Sequence, residues 1–237
     1  VCGGYLYGTT QGVVTKGSGL AWTQAPWCYA VCFFLGAILF CKKMREKEYI
    51  TMFDPFSEKF SNWMVALLYL PACLGDIFWI AMALSTLGAC LSVLLGISSE
   101  LAIIVSAVCS CFLAFIGGMY SVAYTDVVQL VLMFICLYIC IPFVATSEYV
   151  GDATKTSDVW LGSIQAADIG SWADSALLMI FGGIPWQVYF QRVLSSRSVK
   201  DARTMSMWSG VGALLSAVAP ALMGVYATTV DWSQFPE

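Results

Sequence analysis

The sequence predicts an all-α integral membrane protein, a bundle of transmembrane helices with about six full spans and one half-helix. Composition is the first reason, because 59% of the residues are hydrophobic and only 11% are charged, against about a quarter charged in an ordinary globular domain. A water-soluble chain of 237 residues could not bury that much apolar surface, since even a domain of about 300 residues buries only about 75% of its unfolded surface. Long apolar segments and basic residues confined to a few loops are the other two reasons.

The apolar segments can be compared with the length of about 20 residues that an α-helix needs to cross a bilayer. A glycine-rich stub at 1–15 comes first, and full spans are predicted at 23–41, 62–96, 101–117, 123–146, 173–190 and 205–229. The span 62–96 is long enough to predict a strongly tilted helix or one that extends beyond the bilayer. Residues 1–237 therefore read as a single, incomplete transmembrane domain. Since initiator Met and signal peptide are absent, we expect an internal fragment of a longer chain.

Basic residues predict the orientation of the bundle. All Lys and Arg residues except Lys16 and Lys155 lie in the loops 42–60 and 191–204. Four predicted spans separate these loops, and an even number of crossings returns the chain to the same side. The positive-inside rule makes both loops cytoplasmic and places the loop 146–172 outside the cell. We also expect the plasma membrane to be the membrane that holds this bundle.

Composition also argues against several functions. The net charge of −4 is small and spread over loops, so nothing indicates a nucleic-acid partner. Histidine is absent, which removes the usual general base and the commonest zinc ligand. The cysteines are scattered through apolar segments without metal-site spacing, and free, buried thiols are expected. With no nucleophile–base pair or metal cluster in view, we expect neither an enzyme nor a cofactor.

Two places within the spans are unlike an ordinary lipid-facing helix. Gly3, Gly4 and Gly8 lie in the stub, and the sequence Gly-Gly-Ile-Pro at 182–185 lies inside the span 173–190. Proline removes a backbone donor and disfavours helical geometry at the preceding residue. Each place could be a simple kink with close glycine packing. Two interruptions about five helices apart instead favour a transporter, because inverted repeats place broken helices at corresponding positions.

Three aromatic residues and one acid are the candidate site residues within the spans. Asp76 and Trp79 lie three apart in the middle of 62–96, on one helix face, and a carboxylate at that depth is a functional hypothesis by default. Tyr29 follows Pro26 by one turn, and Trp186 directly follows the predicted break. Such residues also serve packing or interfacial anchoring. The alternative is that the three aromatic rings converge on one cavity, where they would recognise a quaternary ammonium, which has no hydrogen-bond donor, by cation–π contact.

Asp126 opens the predicted span 123–146 and has two interpretations. With Gln129 three residues later it fits a capping box, in which Asp126 is the N-cap. Alternatively its carboxylate attracts or ligates a cation, because hard cations prefer oxygen ligands.

Several motifs together resemble one transporter family. The segment 19–26 reads GLAWTQAP, the segment 117–130 reads GGMYSVAYTDVVQL, and the segment 182–196 reads GGIPWQVYFQRVLSS. They are similar to the high-affinity choline transporters of the sodium/solute symporter family, and the resemblance runs through nearly the whole chain. The YTD-x-x-Q and QR-x-L-S elements are shared across the wider family, whereas the GGIPWQ-x-YFQRVLSS run is much more specific to the choline branch. Cys2, Trp27, Cys28 and Asp76 depart from the pattern, with Asp76 standing where a longer Glu is expected.

This resemblance implies a leucine-transporter-type fold of two inverted five-helix repeats, of which the chain holds core helices one to seven in part. It implies that Tyr29, Trp79 and Trp186 belong to a choline cage, whose further tryptophan would fall immediately before Val1. It also implies that the Val1 carbonyl belongs to a sodium site and that Asp126 matches the acidic residue of a second cation site. Sodium is then the coupling ion, with chloride as a further candidate, and the lipid bilayer surrounds the protein.

The expected function is sodium-coupled choline uptake by alternating access. Two alternatives stay open: a sodium symporter for another small solute such as proline, a sugar or a vitamin, and a receptor or sensor module built on a transporter-like bundle.

Overall fold

The computed structural model describes residues 3–234, apart from the side chain of Met119, and within that range it consists of helices joined by loops without a strand. The α-helices are α1 (Gly3–Val14), α2 (Gly19–Trp22), α3 (Ala25–Leu35), α4 (Cys41–Glu46), α5 (Asp54–Ser57), α6 (Asn62–Leu95), α7 (Ser99–Ala145), α8 (Ser157–Leu161), α9 (Ile169–Gly183), α10 (Gln187–Ser195) and α11 (Val199–Ala227). A π-helix at Gly36–Phe40 joins α3 to α4, and short 3-10 turns lie at Ala153–Thr156, Ala166–Asp168 and Trp232–Gln234.

Five helices in the described part of the chain are long and apolar enough to cross a membrane. They are Gly19–Glu46, Asn62–Leu95, Ser99–Gly118, Tyr120–Ala145 and Val199–Ala227. The prediction of an all-α membrane fold is therefore confirmed. The segment 173–190, predicted as a full span, is not one continuous helix, because α9 ends at Gly183 and α10 begins at Gln187.

The long helix α7 contains two membrane-spanning segments joined by a kink. Gly118 has φ 49° and ψ −143°, which is not helical, and glycine adopts a positive φ without the steric penalty of a Cβ. The sequence predicts a short loop between the spans 101–117 and 123–146. In the structure that connection is reduced to a bend at Gly118, and the helix resumes at Tyr120.

Small residues on α11 form the centre of the packing. This helix lies against α1 and α3, and its buried residues are Ala202, Ser206, Gly210, Ala213, Ser216, Ala217, Ala219, Pro220 and Gly224. A Cβ on Gly210 would lie 2.5 Å from the ring of Phe34, and one on Gly224 would lie 2.8 Å from Val13. Close approach at small residues is how helices associate in lipid, where no hydrophobic drive holds them together.

The two ends of the bundle are held by different groups. At one end, Gly151 N–H donates to Thr229 Oγ1 at 3.0 Å, and the hydroxyls of Thr156 and Thr228 lie 2.9 Å apart. The loop 146–172 therefore packs against the end of α11. The start of α11 lies at the opposite end beside α4 and α10, so both basic loops are at that end. Which side of the membrane this end faces stays a prediction of the positive-inside rule.

A buried polar cluster ties α4, α10 and α11 together near the basic end. Tyr189 Oη donates to Ser206 Oγ at 2.8 Å, and Cys41 Sγ lies 3.4 Å from Tyr189 Oη and 3.3 Å from Ser206 Oγ. All three residues are buried. A Cβ on Gly36 would lie 2.6 Å from Tyr189 Oη, so the π-helix begins where this ring packs.

We expect Tyr189→Phe to lower the free energy of unfolding by about 1–2 kcal/mol, because it removes the hydroxyl and leaves buried partners with fewer hydrogen bonds. Thermal unfolding of the full-length protein in detergent measures this change. Tyr7→Phe is the matched control, since the Tyr7 side chain is 63% exposed. Equal unfolding midpoints for Tyr189→Phe and Tyr7→Phe would show that the cluster contributes nothing.

Candidate functional site

A cavity of about 640 Å³ lies beside the break between α9 and α10. Its walls come from α3, α6, α9, the break, the start of α10 and the loop before α5. Tyr29, Asp76, Trp79, Gly183, Trp186 and Gln187 are among the lining residues. All three aromatic residues predicted from the sequence therefore border one space, together with the predicted intramembrane acid.

The wall contributed by α6 is a single stripe of its surface. Ala72, Gly75, Asp76 and Trp79 line the cavity, and spacings of three, four and seven residues place side chains on one face of an α-helix. The small residues Ala72 and Gly75 leave space in front of the longer Asp76 and Trp79 side chains. This stripe explains why the carboxylate and the indole face the same cavity.

The break between α9 and α10 fixes the position of Trp186. Pro185 has no N–H to donate, and Trp186 has an extended backbone with φ −81° and ψ 121°. The Trp186 carbonyl then accepts hydrogen bonds from the N–H groups of Tyr189 and Phe190, both at 3.1 Å. Trp186 thus caps α10, and its ring lies with its centroid 5.2 Å from that of Trp79 at an interplanar angle of 65°.

Tyr29 reaches the cavity because the break packs closely against α3. A Cβ on Gly183 would lie 2.8 Å from Cys32 Sγ and 3.6 Å from Tyr29 Cδ1. A side chain larger than hydrogen at Gly183 would have to displace the Cys32 thiol, so glycine permits that approach. The Tyr29 ring also lies 6.2 Å from that of Tyr5 on α1, measured between centroids.

The structure describes only one of the two predicted cation-site residues. Val1 lies outside the described residues. Asp126 is in the middle of α7, and its Oδ2 accepts a hydrogen bond from Arg192 Nη2 at 3.0 Å. The N-cap interpretation of Asp126 is wrong, because the helix continues past it in both directions. Its carboxylate is bound by a cation, but that cation is the guanidinium of α10.

Sequence reasoning missed several lining residues. Met52 comes from the loop before α5, and Leu178 and Met179 lie one turn before the break. Gln187 follows Trp186 directly, and its Oε1 is buried with no hydrogen-bond partner among residues 3–234. Leu178, Met179 and Gln187 could have been predicted from their spacing to Gly182 and Trp186, because residues near a helix break border the space that the break opens.

Comparison with known proteins decides the family. The sequence model of the sodium:solute symporter family matches residues 3–230. The chain belongs to the sodium:solute symporter family.

Three similar proteins are all named high-affinity choline transporter 1. The Caenorhabditis elegans protein is 46% identical over 233 residues, covering 98% of this chain and 40% of that protein. The human protein is 42% identical and the Torpedo marmorata protein 45% identical, each over 240 aligned positions covering 99% of this chain and 41% of theirs.

This member of the sodium:solute symporter family spans about two fifths of the length of these curated relatives. Its cavity borders a discontinuous helix, and in transporters built from inverted repeats the substrate site is typically formed by such helices. Irregular backbone at membrane depth is tolerated where it is buried in protein or lines a cavity. The position of the cavity is therefore the one expected for a substrate site.

Proposed function

We propose that the full-length protein is a sodium-coupled symporter that carries choline, or a closely related quaternary ammonium, across the plasma membrane by alternating access. The observation that carries the proposal is the convergence of Tyr29, Trp79 and Trp186 on one cavity, with the two indoles 5.2 Å apart. A quaternary ammonium cannot donate a hydrogen bond, so aromatic faces are the groups that recognise its charge. The names of the similar proteins support the same substrate.

Sodium is the coupling ion in this proposal, as the family description indicates. Coupling requires that sodium and choline each favour the same conformer, with a mutual affinity gain of roughly 1–3 kcal/mol. The Val1 carbonyl and Asp126 are the proposed sodium contacts, and chloride is a further candidate ion. The loops 42–60 and 191–204 face the cytoplasm, and the loop 146–172 faces outward.

The test of the function is uptake of radiolabelled choline by cells that express the full-length protein, with sodium present or replaced. Saturable uptake that needs sodium supports the proposal. Saturable, sodium-dependent uptake of another solute with no uptake of choline would overturn the substrate, and no uptake of any solute would favour a receptor.

Asp126 has a separate test because Arg192 competes for its carboxylate. We expect Asp126→Asn to raise, and Arg192→Gln to lower, the sodium concentration for half-maximal uptake by roughly two- to fivefold, the range of a partly exposed ion pair. Their side chains are 50% and 36% exposed, which keeps the effect small. The Lys42–Glu46 pair, at 3.8 Å, supplies the control variant Glu46→Gln. If neither Asp126→Asn nor Arg192→Gln changes the sodium dependence, the pair has only a structural role.

A further inference from the structure

Asp76 is the one residue with a formally charged side chain in the lining that the structure describes. It lies near the middle of α6, a helix of 34 residues in which no other residue is charged. No hydrogen bond or ion pair to its carboxylate is present among residues 3–234. A charge at that depth is rare in membrane proteins, and it normally faces a cavity and meets a partner there. Asp76 borders the cavity, so a cationic ligand bound there would be a partner for this carboxylate.

The aromatic rings alone do not explain selection among quaternary ammonium compounds. Choline and glycine betaine have the same trimethylammonium group, and cation–π contacts would hold that group equally well in both. A volume of about 640 Å³ admits either small molecule, so size does not separate them. They differ in charge, because choline is a cation and glycine betaine also has a carboxylate.

Resting on the proposed function, we infer that Asp76 is the specificity-determining residue that selects net cations over zwitterions in this cavity. Its carboxylate attracts the trimethylammonium charge that both molecules carry, and it repels the carboxylate that only glycine betaine has. Selectivity of this kind needs a repulsive element against the wrong ligand as well as an attractive one for the right ligand. Trp79 and Trp186 hold the shared trimethylammonium group, and Asp76 discriminates by the rest of the molecule.

The experiment measures competition of choline, glycine betaine and 3,3-dimethylbutan-1-ol, the uncharged carbon analogue of choline, against radiolabelled choline in the full-length protein. The unmodified protein should bind choline more tightly than both competitors. Asp76→Asn should reduce the choline-to-betaine affinity ratio by on the order of tenfold or more, while Asp76→Glu keeps the ratio. Asp174→Asn is the matched control, because Asp174 is an exposed carboxylate of α9 outside the cavity lining.

Each outcome separates this inference from the proposed function. Trp186→Ala should weaken choline and glycine betaine together and leave their ratio unchanged. If that loss is seen but Asp76→Asn shifts both ligands equally, the inference fails and the choline site stands. If the unmodified protein does not bind choline, the proposed function itself fails, whereas unchanged choline binding in Trp186→Ala removes only Trp186 from the site. Should the unmodified protein bind glycine betaine as tightly as choline, the inference is overturned even if Asp76→Asn does not fold. A changed sodium dependence in Asp76→Asn with an unchanged ratio would also overturn it.

Discussion

Trp186→Ala is expected to weaken choline binding by about 30-fold, because a desolvated cation–π contact contributes about 2 kcal/mol. Trp79→Ala should have a similar effect. The double variant should lose less than the sum of the two, since rings 5.2 Å apart share one ligand and support each other. Radioligand binding to membranes that contain the full-length protein measures all three losses.

Controls for this prediction come from the same chain. Trp208 lies on α11 with 69% of its surface exposed, so Trp208→Ala should bind choline normally. Trp186→Phe keeps an aromatic face and should retain most of the affinity that Trp186→Ala loses. A loss of the same size in Trp208→Ala would mean that any missing indole damages the fold, and unchanged binding in Trp186→Ala would remove Trp186 from the site.

Gly162→Ala is expected to destabilise the protein by roughly 2–4 kcal/mol, from backbone strain and steric overlap together. Gly162 has φ 69° and ψ −175°, a region that is essentially restricted to glycine. A Cβ there would also overlap the carbonyl oxygen of Ser18. Gly19 faces it with φ 60°, and a Cβ on Gly19 would lie 2.6 Å from the Leu161 carbonyl carbon. Because backbone meets backbone, no side-chain rotation can relieve the clash.

Thermal unfolding and surface abundance of the full-length protein are the measurements for this variant. Gly212→Ala is the matched control, since Gly212 lies within α11 and a Cβ there meets nothing within 4 Å. It should be neutral or gain about 0.5–1 kcal/mol from the better helix propensity of alanine. An unfolding midpoint for Gly162→Ala equal to that of Gly212→Ala would contradict the close contact between the loop 146–172 and the start of α2.

The break at 182–185 could be predicted from sequence because its cause is local. Pro185 has no N–H to donate whatever surrounds it. The expected restriction of Ile184 is wrong, because Ile184 keeps helical angles (φ −64°, ψ −53°) and the backbone becomes extended only at Trp186. That the chain is a membrane protein could also be predicted, because this follows from the length of the apolar segments and from the composition. The short loop predicted between the spans 101–117 and 123–146 was less accurate. In the structure a bend at one glycine with positive φ, Gly118, replaces it, and such a glycine leaves no other mark in the sequence.

The environment of Asp126 could not be predicted because it depends on a residue 66 positions away. A capping box and a mid-helix acid can share the same local spacing, and only tertiary packing separates them. Gln187 was overlooked for a related reason, as an amide beside a tryptophan gives no sign of being buried. The grouping of Tyr29, Trp79 and Trp186 was expected from resemblance and from the chemistry of quaternary ammonium, not from the spacing of the residues. Their binding role stays a prediction.

A structure of the full-length protein determined with choline and sodium bound tests the central claim most directly. We expect the trimethylammonium group to lie against the rings of Tyr29, Trp79 and Trp186 beside the break between α9 and α10. Choline bound elsewhere, with these three rings turned away from it, would contradict the account.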